Sequence, residues 1–240
     1  MIKTLSLDLW DTIIRDEPGL VESYALMKLE AFWKVISNYK RVSFREVVES
    51  YKKVMHYKGY VPPLHFARIL AASLGLDPTS IAAEEAARAY EEASYKYTPV
   101  LVPGAKELIL RAKSLGLKVV VVSNTSFSAR AVERILCNAS LCGVLDYVAS
   151  SSELGLMKPN PLIFLRALEA VGSEPSEAIH VGDSCFNDVL GALLAGIKPV
   201  LHNPSSSEVA CPGVRGLVVV RNLAEVADML EKLMAETRGG

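Results

Sequence analysis

Apolar and polar positions alternate along this chain in two different rhythms. Ile2 to Leu9 is an apolar, β-capable run that stops abruptly at polar residues, the pattern of a buried strand. From about Glu17 to Tyr97 the period becomes helical. Leu20, Tyr24, Met27 and Ala31 recur at helical spacing, as do Val47, Tyr51, Val54 and Met55. Pro62-Pro63 can open a third helix running toward Gly75, and Ser80 to Tyr97 makes a fourth. Phe32, Trp33 and Tyr24 are expected in the core of this helical block. After Pro103 helices and apolar runs alternate regularly: helix Ala105–Leu115, strand Leu117–Val122, helix Ala129–Leu136, strand Tyr147–Ala149, helix Pro161–Val171 and strand Ala178–Val181. Helix Asp188–Ala195, strand Pro199–Leu201, strand Leu217–Val220 and helix Ala224–Glu236 complete the chain.

That alternation predicts an α/β fold, a Rossmann-like three-layer core with a parallel central sheet covered on both faces. The core is expected to be discontinuous, residues 1–15 and 98–240, with residues 16–97 inserted as a helical cap domain. Asp8, Ser123 and Asp183 each fall just past the carboxyl end of a predicted central strand. Open α/β sheets bind ligands in the crevice outside those ends, so the three should face one site.

The composition bounds the function. With 240 residues, 50% hydrophobic, 22% charged and a formal net charge of -1, the chain reads as globular. No basic patch suggests nucleic acid as a partner and no apolar run approaches the ~20 residues that span a bilayer. The N-terminus moves directly into a strand pattern without signal-peptide architecture, which reads as cytoplasmic. The expected partner is a small-molecule substrate, and the sequence leaves monomer and homodimer both open. Cys137, Cys142, Cys185 and Cys211 lack zinc-site spacing. Cys137 and Cys142 are close enough to pair, although an ordinary cytosol keeps thiols reduced and only hot-adapted cells are exceptions. The absence of glutamine fits a hot-adapted source.

Four segments carry chemistry. Asp8 can be a carboxylate nucleophile or a metal ligand, or a strand-end cap. Ser123-Asn124-Thr125 can cap the following helix or hold an anion at its N-terminus. Lys158, in a loop restricted by Pro159 and Pro161, can offset repulsion between a carboxylate and an anionic substrate. In Gly182-Asp183-Ser184-Cys185-Phe186-Asn187-Asp188, two acidic side chains frame a short loop of the kind that suits Mg²⁺. His56 and His65 are substrate candidates or surface residues, His180 reads as structural, and the reactivity of Cys185 depends on its exposure.

In this order and separation the four segments resemble the haloacid dehalogenase-like hydrolase superfamily, over nearly the whole chain. The resemblance implies Asp8 as nucleophile, Ser123 and Lys158 as binders of phosphate or intermediate, with Asn124 beside them. It implies Mg²⁺ held by Asp8, Asp183, Asp188 and the main-chain carbonyl of Trp10. One position departs. Phosphatases of the superfamily carry an acid two residues after the nucleophile, where this chain has Trp10, and Asp11 lies one residue too far along. An aromatic residue there is similar to the metal-free 2-haloacid dehalogenases, and Lys28 to Trp33 resembles their cap helix. Against this, their substrate-binding arginine would fall at Ala25, and Asp183 retains the acidic motif they lack. The resemblance implies a Mg²⁺-dependent phosphatase of a small phosphorylated metabolite. A 2-haloacid dehalogenase and a weakly catalytic phosphate-binding module stay open as alternatives.

Overall fold

The computed structural model describes residues 1–16, 23–205, 211 and 213–238. Leu20, the first residue of the helical period noted above, lies outside them.

Six strands form a parallel sheet: β1 (Thr4–Leu7), β4 (Lys118–Ser123), β5 (Tyr147–Ser150), β6 (Ala178–Gly182), β7 (Lys198–His202) and β8 (Val218–Val220), in the order β5-β4-β1-β6-β7-β8. Among the described residues the other strands are β2 (Ile14–Arg15) and β3 (Val100–Leu101), an antiparallel pair with Arg15 opposite Val100. Side chains alternate across the pleat, so the valine run of β4 serves two cores. Val119 and Val121 pack against α5 (Ala105–Ser114), α6 (Ala129–Asn138) and α10 (Leu223–Arg238), while Val120 and Val122 pack against α8 (Pro161–Ala170). Apolarity on both faces is why this strand reads as an unbroken hydrophobic run.

Among the described residues, four α-helices lie between β2 and β3: α1 (Ser23–Ile36), α2 (Phe44–Val54), α3 (Pro63–Ser73) and α4 (Ile81–Ser94). Ser43 and Glu46 form a reciprocal capping box at the start of α2, Pro63 opens α3, and the Ser80 hydroxyl caps α4. These helices bury a cluster of their own that includes Leu29, Phe32, Ile36, Val47, Tyr51, Phe66, Leu70 and Tyr90. Phe32 sits there as expected, and Trp33 packs on its margin. Tyr24 does not: its ring stacks on Trp10 of the sheet body, centroids 5.3 Å apart. Among the described residues the other α-helical segments are α7 (Ser151–Leu154) and α9 (Gly191–Leu194). The helix anticipated from Asp188 starts earlier, as a π-helical turn over Cys185–Leu190 that leads into α9, with the Ser184 hydroxyl accepting from the Asn187 N–H.

Two disulfides are formed, Cys137–Cys142 and Cys185–Cys211, with Cα atoms 4.0 and 5.5 Å apart. The second ties the loop after β6 to a position 26 residues on. Among the described residues no helix is long and apolar enough to cross a membrane.

Candidate active site

The parallel register brings three strand ends together. Asp8 follows β1 directly, its N–H donating to Val181 O at 2.9 Å, and its side chain is buried beneath the surface. β4 ends at Ser123, one strand away on one side, and β6 ends at Gly182 on the other. Lys158 arrives from the loop between α7 and α8. Its ammonium donates to Asp8 Oδ1 and to Asp188 Oδ1, the latter at 2.6 Å. The carboxylates of Asp8, Asp183 and Asp188 can each place an oxygen within 4.8 Å of the others.

Each member is held by identifiable contacts. Asn124 clamps the lysine backbone: its Oδ1 accepts from the Lys158 N–H at 2.7 Å and its Nδ2 donates to the Lys158 carbonyl at 3.0 Å. Read from the sequence as a substrate binder, Asn124 therefore spends its side-chain amide on positioning the cation. Asp188 accepts from the Ser184 N–H through Oδ2 at 2.9 Å and meets His180 Nε2 through Oδ1 at 3.2 Å. Gly182 is required by this packing, since a Cβ there would lie 2.2 Å from Asp188 Cγ.

The charges are strongly coupled. Burial pushes Asp8 up to about 7 against the pull of Lys158, with Asp188 adding to the rise. Asp183 rises to about 6 through burial, Asp188 and Asp11. Asp188 goes the other way: burial opposes its charge, but Lys158 and His180 hold it well below the usual carboxylate range. Burial also works against the Lys158 ammonium, yet Asp8 and Asp188 outweigh it and raise that group.

Three carboxylates against one ammonium leave two negative charges when all are ionised, which a divalent cation would balance. The Ser123 hydroxyl is fully buried and has no hydrogen-bond partner, and such an orphan calls for one. All-oxygen donors and a spare hydroxyl suit a hard cation together with an oxyanion.

Trp10 and Asp11 separate from one another. The Trp10 ring joins Tyr24, Tyr97 and Phe127, with the latter two centroids at 6.4 and 5.8 Å, and its Nε1 lies 3.4 Å from Thr125 Oγ1. Asp11 is exposed in a left-handed conformation, φ 58°, that lets its N–H reach Ile14 O at 2.7 Å. A cavity of 370 Å³ opens between sheet and helices, walled by Trp10, Tyr24, Asn124 and Met157 below and by Met55, His56, Lys58 and Tyr60 above, with Asp11 and Asp16 at its edge. His56 thus lines this cavity, whereas His65 is an exposed residue of α3.

A family model for haloacid dehalogenase-like hydrolases matches residues 2–196. The chain belongs to the haloacid dehalogenase-like hydrolase family. It is 30% identical over 200 residues to a glyceraldehyde 3-phosphate phosphatase of Pyrococcus furiosus, covering 83% of this chain and 80% of that one. It is 31% identical over 132 residues to haloacid dehalogenase-like hydrolase domain-containing protein 3 of Xenopus laevis, covering 55% of this chain and 53% of the other. Among solved structures, a 2-haloacid dehalogenase from Pseudomonas syringae superposes with a TM-score of 0.66 at 21% identity, over 97% of this chain and 100% of that one. That likeness establishes the shared fold of this hydrolase family.

Two polar systems in this family member escaped the sequence reading. His180 bridges Ser6 Oγ, 2.8 Å from its Nδ1, and Asp188. The signal existed: Ser6 and His180 are polar positions in apolar strands, and the β1–β6 register pairs them. Lys28 is fully buried on α1, donating to Ser126 O at 3.2 Å and lying 4.3 Å over the Tyr90 ring. Beside it the buried Glu91 bonds the Ser128 hydroxyl. Both tie the helices to the segment after Ser123.

Proposed function

We propose that this hydrolase is a Mg²⁺-dependent phosphatase of a small phosphorylated metabolite, working through an aspartyl-phosphate on Asp8 in a cytoplasmic setting. The observation that carries the reading is the Lys158 ammonium held between Asp8 and Asp188, with Asp183 completing the acidic group. A phosphatase name among relatives at 30% identity supports it.

In this mechanism an Asp8 oxygen attacks phosphorus in line with the departing alkoxide. The bond to the leaving oxygen breaks, and water then cleaves the acyl phosphate to return free Asp8 and phosphate. Lys158 and the Ser123 hydroxyl hold the phosphoryl oxygens, so the charge that develops there meets fixed donors. Asp8, Asp183, Asp188 and the Trp10 carbonyl are the groups that would hold Mg²⁺, whose chemistry is to neutralise the transferring group. With Trp10 in the usual acid position, Asp11 is the carboxyl nearest in sequence to donate a proton to the leaving oxygen. We assign residues 16–97 as the cap. Its Met55 to Tyr60 turn walls the cavity that takes the leaving group and keeps bulk water out.

The test pairs an aryl phosphate, with and without Mg²⁺, against 2-chloropropionate with chloride detection. Metal-dependent release of phosphate alone is the expected result. Metal-free chloride release would instead establish the dehalogenase reading, which the aromatic Trp10 favours and the small Ala25 opposes. Phosphate binding without either turnover would leave a phosphate-binding module.

A further inference from the structure

A second cavity, of 390 Å³, lies beyond Asp11 and has a different character. Arg15 of β2 and Arg221, just after β8, both line it, and among the described residues neither guanidinium makes an ion pair. His202, the last residue of β7, lines it too and is only 2% exposed. The hydrogen bond of that ring goes to the Asp11 backbone, and its Nδ1 has no partner. In a neutral imidazole that donates through one nitrogen, the other is an acceptor, so the orphan is satisfied by a hydroxyl rather than an oxyanion. Asp11 and Asp183 form the wall toward the acidic group, which confines an anion to the arginine end.

We propose that this cavity binds a carboxylate or phosphate ion borne on a hydroxylated carbon skeleton, its charge held by Arg15 and Arg221 and a hydroxyl donating to His202 Nδ1. The same chemistry has two sources: a distal anionic end of the substrate, or a separate small effector. Asp183 is common to the cavity lining and to the acidic group, whereas Trp10 does not line this cavity.

Calorimetry of the full chain with Mg²⁺ tests this, using D-glycerate and propionate as probes. Glycerate should bind more tightly than propionate. Arg221→Ala and Arg15→Ala should each weaken glycerate ~10-fold or more, the usual loss for a hydrogen bond to a charged group. His202→Phe should remove the advantage of glycerate over propionate. Turnover of an aryl phosphate by the two arginine variants should be unchanged, which shows that they fold and separates this proposal from the proposed phosphatase activity. If glycerate raises the KM of the aryl phosphate in the parent chain and not in Arg221→Ala, the site takes the distal end of the substrate. If it binds without altering KM, the ligand is an effector. Glycerate that does not bind, or that binds all variants equally, overturns the proposal.

Discussion

His180 Nε2 lies 3.2 Å from Asp188 Oδ1, and Nδ1 of the same ring meets Ser6 Oγ at 2.8 Å. The imidazole therefore fixes the orientation of a carboxylate that also receives Lys158, and burial holds the ring's pKa below its ordinary value against the opposing pull of Asp188. His180→Phe keeps the bulk against Phe164 while removing both hydrogen bonds. Loss of such outer partners costs a metal site ~10- to 100-fold in affinity or activity. A Mg²⁺ titration of aryl phosphate turnover should show the half-saturating concentration rise by that order; an unaltered titration curve would reduce His180 to a core residue.

Asp11→Asn addresses the missing acid. General acid catalysis is worth ~10² to 10⁴-fold and matters most for poor leaving groups. Turnover of an alkyl phosphate should fall by at least ~10²-fold, while that of 4-nitrophenyl phosphate should fall far less. Equal losses for both would show that Asp11 acts on something other than the leaving oxygen.

Gly182→Ala forces a Cβ into the Asp188 carboxylate. Overpacking of this kind costs ~1–3 kcal/mol. Thermal unfolding should report that loss. Turnover should fall further than stability explains, because the displaced group is the one that meets Lys158.

Lys28 gives a pH signature. Burial lowers its pKa from 10.5 to about 8, with Glu91 opposing the fall. Between those values the unfolded chain holds a proton that the folded chain lacks, so stability should rise as pH rises from about 8 toward 10.5. Below about 8 the folded protein carries the full cost of the buried ammonium, up to ~3 kcal/mol by the pKa difference. Removing Lys28 alone would strand Glu91, so the variant is Lys28→Met with Glu91→Gln. Its melting temperature should change little across this range while that of the parent climbs.

The strand-end motifs were legible because each is local: an apolar run, then a polar tip, at Asp8, Ser123 and Asp183. Alternating helices and runs likewise carried the parallel sheet. What needed coordinates was anything set by register or by sheet order. Ser6 and His180 are 174 residues apart and meet only because β1 pairs with β6. Cys185 finds Cys211 because β7 returns beside β6. Tyr24 carries a helical-period signal that places it on a buried stripe without saying whether the neighbour is its own helical cluster or Trp10. The two-residue strands β2 and β3 are too short to leave any period in the sequence.

Arg15 and Val100 sit opposite one another in that small ladder, so the chain leaves the sheet body and returns to it at one doorway. A different stretch of polypeptide could be spliced in there with the six-stranded register untouched. The exchange would be noticed instead at Trp10, Phe127 and Ser128, whose partners Tyr24, Lys28 and Glu91 would leave with the helices. Any replacement module would have to supply an aromatic lid and a buried ion of its own.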